Sequence, residues 1–187
     1  MEIEIKFRVP DVEQLETALR AAGFREQTSR THEMNWLYDL PSGALRNRGE
    51  VLRIRKYGER WVLTHKSGAT RSGDRHKSRQ ETETAVEDGE ALDKILRALG
   101  FHVAFRYEKF RREWTDKRGE VVIDETPIGN FAEIEGEPQW IDEIAGGLGI
   151  TEDHYITGSY VDLFFGWKRA TSSRAEHMMF DEVAART

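Results

Sequence analysis

The first nine residues, Met-Glu-Ile-Glu-Ile-Lys-Phe-Arg-Val, alternate Glu2, Glu4, Lys6 and Arg8 with Ile3, Ile5, Phe7 and Val9. A period of two describes a β-strand with charges on one face and apolar groups on the other. The pattern recurs along the chain. Arg53 and Arg55 alternate with Leu52 and Ile54, Lys66 closes Trp61-Val-Leu-Thr-His-Lys, and Arg79, Glu81 and Glu83 alternate, as do Lys109 and Arg111. Val121-Val-Ile-Asp124 ends in an acid, and Phe131-Ala-Glu133-Ile-Glu135 repeats the opening. These faces carry seven acids (residues 2, 4, 81, 83, 124, 133, 135) and eight bases (6, 8, 53, 55, 66, 79, 109, 111). Converging Lys and Arg side chains suit phosphate oxygens, Arg in bidentate fashion. Clustered carboxylates without His or Cys suit hard cations such as Mg2+ or Mn2+. Together they describe a metal–polyphosphate site, in which acids hold the metal and bases hold the phosphates.

The elements that must position these groups follow from the rest of the chain. Pro10-Asp11 opens a helix with Asp11 as its cap and Val12, Leu15, Ala18, Leu19 and Ala22 as its apolar stripe; Gly23 ends it. Strands are expected at 24–30, 34–39, 45–57 and 60–66, with turns at Pro41-Ser-Gly43 and Gly58-Glu59. Residues 67–78 form a locally basic loop with Arg71, Arg75, His76 and Lys77, read either as a solvated hairpin loop or as a gate for an anionic ligand. A strand at 79–86 leads to a second helix, capped by Asp88, with Leu92, Ile95, Leu96 and Leu99 on its stripe and Gly100 at its end. Leu15-x-x-x-Leu-Arg-Ala-x-Gly-Phe24 matches Leu92-x-x-x-Leu-Arg-Ala-x-Gly-Phe101, which implies two related halves. Strands are expected at 103–114, 120–124 and 130–136, and a short helix at 139–145. Residues 159–167 suit a strand or a buried helix equally, and 171–186 has helical character. Tyr38, Tyr107 and Tyr160 read as core residues.

Apolar faces on so many strands outnumber the helices that could cover them. Closure into a barrel solves this: about eight strands close, the apolar faces pack outward under helices and loops, and the charges turn inward. Two readings of such an interior stand side by side. Mutual salt bridges could neutralise it, but apolar residues would serve stability more simply, so a wet tunnel built for a ligand is the better account. The expected class is therefore α+β, a closed antiparallel barrel with a charged interior and pseudo-twofold halves. Residues 1–168 would form the tunnel domain and 169–187 a tail or lid helix.

Composition narrows the function. The chain has 187 residues, 33% of them charged, a net charge of −6 and no cysteine. That balance argues against general binding to nucleic acid, a disulfide framework or a thiolate metal site. No apolar run is long enough to span a membrane and the N-terminus is a charged strand, so no membrane partner and a cytoplasmic location are expected.

Glu2-x-Glu4-x-Lys6, Leu52-Arg53-Ile-Arg55, Lys66, Glu81-x-Glu83, Lys109-x-Arg111, Asp124 and Glu133-Ile-Glu135, in this order over roughly residues 1 to 165, resemble the CYTH superfamily, the triphosphate tunnel metalloenzymes. The resemblance implies a tunnel of about eight strands. It implies that Glu2, Glu4, Glu133 and Glu135 bind Mg2+ or Mn2+, with Glu81, Glu83 and Asp124 nearby. Lys6, Arg53, Arg55, Lys66, Lys109 and Arg111 would hold the triphosphate, with Lys66, Lys109 and Arg111 the candidate catalytic groups. The Gly158-Ser-Tyr160-Val-Asp-Leu163 stretch is similar to the class IV adenylyl cyclase-like branch, which implies conversion of ATP to cyclic AMP and pyrophosphate. Hydrolysis of tripolyphosphate or thiamine triphosphate is the alternative reaction, and a nucleotide- or polyphosphate-binding module without turnover a further one. Asn35 and Leu37 depart from that branch, which often carries Asp and an aromatic there. A homodimer is plausible by resemblance alone.

Overall fold

A computed structural model describes residues 2–67 and 77–184. The side chains of Glu2 and of residues 77–79 lie outside that description, as does most of the expected basic loop. Eight antiparallel strands close into one barrel: β1 (Glu2–Arg8), β2 (Arg25–Asp39), β3 (Val51–Tyr57), β4 (Arg60–Ser67), β5 (Lys77–Val86), β6 (His102–Thr115), β7 (Glu120–Thr126) and β8 (Gly129–Glu135). Around the ring they run β1-β5-β4-β3-β2-β6-β7-β8, and β8 pairs back with β1 through Glu4↔Glu135 and Lys6↔Glu133. Exchanging β1–β4 with β5–β8 maps this ring of neighbours onto itself, so the repeat seen in the sequence is a repeat of topology. No helix among the described residues is long and apolar enough to cross a membrane.

The two repeated helices start and stop by the same local chemistry. In α1 (Val12–Ala21) the Asp11 carboxylate accepts from Gln14 N at 3.0 Å; in α3 (Gly89–Ala98) Asp88 accepts from Glu90 N at 3.0 Å and Ala91 N at 2.9 Å. Each helix is followed by a glycine with positive φ, Gly23 at +88° and Gly100 at +93°. Between β2 and β3 sits a single turn, α2 (Ala44–Asn47), where a strand from Leu45 is expected. Asp39 forces this turn by accepting from Leu40 N at 2.8 Å, Leu45 N at 2.9 Å and Arg46 N at 3.2 Å, so strand pairing starts only at Val51.

The largest departure is β2. The expected strands at 24–30 and 34–39 are one fifteen-residue strand, which absorbs its irregularity in register shifts against β6 at Glu26/Thr28 and Thr28/Thr31. Outside the barrel, Ile5, Phe7, Val121, Ile123, Ala132 and Ile134 form one core with Leu15 and Leu19 of α1 and with Trp140, Ile141 and Ala145 of α4 (Pro138–Gly147). The ambiguous 159–167 segment is helical: α5 (Tyr160–Thr171), capped by Ser159, runs across the expected 168/169 boundary. Among the described residues after α5, the helical character expected over 171–186 is found in α6 (Phe180–Ala184); ahead of it Met178 bridges Tyr107 on β6 and is fully buried in one cluster with Phe164.

Candidate active site in the tunnel

Alternation aims the charged face of each strand into the barrel. Glu4, Lys6, Arg53, Arg55, Lys66, Glu81, Glu83, Lys109, Arg111, Glu133 and Glu135 all line one cavity of about 710 Å3. Asp124 stands behind this wall with no exposure. Glu2 is placed by its backbone at the start of β1, opposite Arg79 of β5, while both side chains lie outside the described residues. Arg8, at the other end of β1, is exposed, with its guanidinium 4.9 Å from the Phe131 ring centre.

On the β6–β8 side the charges are locked. Register places Arg111 opposite Asp124 and Lys6 opposite Glu133. Arg111 donates to both Asp124 oxygens at 2.8 and 2.7 Å and to Glu133 Oε2 at 2.7 Å. Lys109 donates to Asp124 Oδ2 at 2.8 Å, and Lys6 meets Glu133 at 3.0 Å. Tyr160, carried in by α5, donates to Asp124 Oδ2 at 2.6 Å and lies under Lys6 and Lys109, with its ring centre 4.4 and 4.8 Å from their Nζ atoms. Burial alone would discharge Lys6, but Glu133 and Glu4 outweigh it and raise its pKa. The same contest, with Asp124 and Glu33 as the partners, raises that of Arg111. Burial first and then the Asp124 charge push the Tyr160 phenol well above its ordinary value, so it stays a donor.

On the β3–β5 side the charges are looser. Arg53 and Arg55 reach Glu83 at 3.4 and 3.3 Å, and Arg53 reaches Glu81 at 3.7 Å; among these pairs of described residues Lys66–Glu81, at 2.7 Å, is the short one. The Glu83 side chain is 36% exposed. Burial raises its pKa, but the Thr64 hydroxyl and then Glu81, Arg55 and Arg53 bring it below the ordinary value. Arg53 Nε and Arg55 Nε in the cavity wall are buried without a hydrogen-bond partner, as are Glu33 Oε2 and Asn35 Oδ1 behind it on β2. Register places Asn35 directly opposite Arg55. Orphaned donors and acceptors in a cavity wall signify an environment completed by something other than protein.

Five residues here go beyond the expected set. Glu33, fully buried on β2, sits 3.4 Å from Lys109 and 4.0 Å from Arg111. Asn35 donates to it at 2.9 Å, so the amide is spent inside the wall. Glu113 and Glu120 add carboxylates to the cavity on β6 and β7. Burial, then the charge of Glu113, raises the Glu120 pKa. Tyr160, expected in the core, lines the cavity as well.

The carboxylates offer only hard oxygen donors, which fit Mg2+ or Mn2+ in chemistry. Glu4 and Glu135 are direct cross-strand partners, two strand positions from the Lys6–Glu133 pair. Among the described residues, however, no three acidic, His or Cys groups form a ready-made cage. Glu133 is instead engaged by Lys6 and Arg111. The donor set thus fits a divalent cation once those bases turn to another anion.

Comparison with known proteins agrees with this architecture. The CYTH domain family model matches residues 1–157, more than four-fifths of the chain, and the protein belongs to that family. A Methanocaldococcus jannaschii protein named "Putative adenylate cyclase" is 27% identical over 174 residues, which cover 87% of this chain and 98% of that one. Among solved structures, a Vibrio parahaemolyticus protein of the same description superposes with a TM-score of 0.76 at 17% identity, covering 88% of this chain and 97% of its own. A Hippeastrum protein, described as a candidate adenylyl cyclase with a dominant triphosphatase activity, superposes with a TM-score of 0.68 at 20% identity, covering 89% and 96%. At these identities the two structures speak for the fold.

Proposed function

We propose that this protein is a divalent-metal-dependent enzyme acting on a triphosphate, with ATP as the substrate and cyclic AMP and pyrophosphate as products. The observation that carries it is the convergence of six bases, Lys6, Arg53, Arg55, Lys66, Lys109 and Arg111, on one cavity that also holds Glu4, Glu133 and Glu135. The metal set is read as Glu2, Glu4, Glu133 and Glu135, and Mg2+ or Mn2+ there would neutralise charge on the phosphates.

Binding is an exchange of partners. Phosphate oxygens would replace Glu133, Glu81 and Glu83 on the bases, and the released Glu133 would join Glu4 and Glu135 in holding Mg2+ or Mn2+. Such an exchange keeps buried charges paired, which limits its cost in a partly dry tunnel. Asp124 has no exposure and serves as the rear anchor of Lys109 and Arg111. Anchored bases are preorganised for charge that develops in the transition state. In cyclisation the ribose 3′-hydroxyl would give its proton to water in the cavity as its oxygen bonds to the α-phosphorus, the bond from that phosphorus to the α–β bridging oxygen would break, and pyrophosphate would leave held by the bases. Leu37, Phe105 and Phe165 line the same cavity and offer apolar surface to a nucleoside.

Hydrolysis is the second reading, and the description of the Hippeastrum protein favours it. Phosphorus NMR of products from ATP, and separately from tripolyphosphate, in Mg2+ or Mn2+ decides between them. Cyclic AMP with pyrophosphate is the expected result. Orthophosphate from tripolyphosphate with ATP left intact would replace cyclisation by hydrolysis, and no product from either would defeat both readings.

A further inference from the structure

Glu33, like Asp124, is a carboxylate of this network that a ligand cannot meet. It has no exposure and is absent from the cavity wall, yet it faces the same interior as Asn35 and Leu37 by strand alternation. Its surroundings are positive: Lys109 Nζ lies 3.4 Å away and Arg111 Nε 4.0 Å, with Arg55 and Arg53 acting on it from β3. One oxygen accepts from Asn35 Nδ2 at 2.9 Å; the other, Oε2, is buried without a partner. A buried carboxyl with an unused oxygen would normally take up a proton. Here burial is outweighed by Lys109, Arg111, Arg55 and Arg53, which keep it ionised.

We infer that Glu33 is a positioning residue and a fixed counter-charge: from behind the wall it holds the Lys109–Arg111 side and weakens the tunnel's grip on bound triphosphate and on its products. The inference rests on the triphosphate reading above. Glu133, Glu81 and Glu83 change partners when ligand enters, whereas Glu33 is enclosed and keeps its charge through the cycle. A negative charge beneath four cations subtracts from the potential a phosphate feels, and at the effective dielectric of such sites one charge several ångströms away is worth on the order of ten-fold in affinity. A tunnel with many bases and no such subtraction would retain pyrophosphate. Lys109 would keep a buried partner without Glu33, because Asp124 still accepts from it at 2.8 Å.

The test is calorimetric binding of tripolyphosphate in Mg2+ to the wild type and to Glu33→Gln, which retains size and removes only charge. The expected result is about ten-fold tighter binding by Glu33→Gln, with KM and kcat both lowered as product release slows. Unchanged or weaker binding by a folded Glu33→Gln would overturn the inference, since a merely structural role lowers melting temperature without tightening the site. If Glu33→Gln does not fold, Glu33→Asp keeps the charge and must bind within about two-fold of wild type, against about ten-fold for loss of the charge; a larger departure overturns the inference equally. Failure of the wild type itself to bind tripolyphosphate would instead sink the triphosphate reading, and this inference with it.

Discussion

Lys109 and Arg111 meet Asp124 at 2.8 and 2.7 Å, with side chains 3%, 13% and 0% exposed; across the tunnel Arg53 and Arg55 meet Glu83 at 3.4 and 3.3 Å, with side chains 11%, 19% and 36% exposed. Both sides pair bases with carboxylates, but from different strands: β6 with β7 on one side, β3 with β5 on the other. On the β6–β8 side Lys109 and Arg111 are tied from behind by Asp124 and Glu33, and Asp124 in turn by the Tyr160 hydroxyl. The β3 side leaves Arg53 Nε and Arg55 Nε orphaned. The difference separates two jobs: one side is a rigid template, and the other closes around what arrives.

The largest expected effect breaks the rigid side. Asp124→Ala strands two buried cations and should lower unfolding free energy by about 3–5 kcal/mol in urea denaturation. Next, Arg111→Met should cut turnover about 10²–10³-fold, the scale for removal of a preorganised donor, read from initial rates at saturating metal. Acidification separates individual carboxyls. Glu33 and Glu83 titrate below the ordinary value of 4.5 in the fold, so the stability they contribute is present above that pH and is lost as pH falls through their folded values. Glu120, with its raised pKa, acts in the opposite sense and loses its contribution as pH rises above 4.5. Melting temperature should therefore drop below pH 4.5, and less steeply in Glu33→Gln. The smallest effect belongs to the open side: Glu83→Gln should shift stability by no more than about 1 kcal/mol, because its pairs are long and partly solvated.

Much of the tunnel was legible in the sequence, since alternation fixes which side chains share a face once the strands are recognised. Arg53, Arg55, Lys66, Glu81 and Glu83 fall on one wall for that reason. Glu33 was hidden by an error of strand assignment: a break at residues 31–33 removes it from any face, and only the long β2 with its register shifts restores the period of Glu33, Asn35 and Leu37. Glu113 and Glu120 continue the same alternation, in phase with Lys109 and Arg111 on β6 and with Asp124 on β7, one step beyond the residues singled out in the sequence. Tyr160 could not be placed while its segment suited strand and helix alike; its role comes from the packing of α5. Asp124 was legible as an acid, but its depth depends on the helix that covers it.

The central claim is that these ion pairs form a site rather than a self-sufficient lattice. Melting temperature measured with tripolyphosphate, with Mg2+, and with both together tests it most directly. The account predicts a rise with the pair that clearly exceeds the sum of the separate rises, as mass action requires of two ligands that share the folded state cooperatively. No shift with the pair, at concentrations where either would fill a tunnel of this kind, would mean that the charges serve only one another.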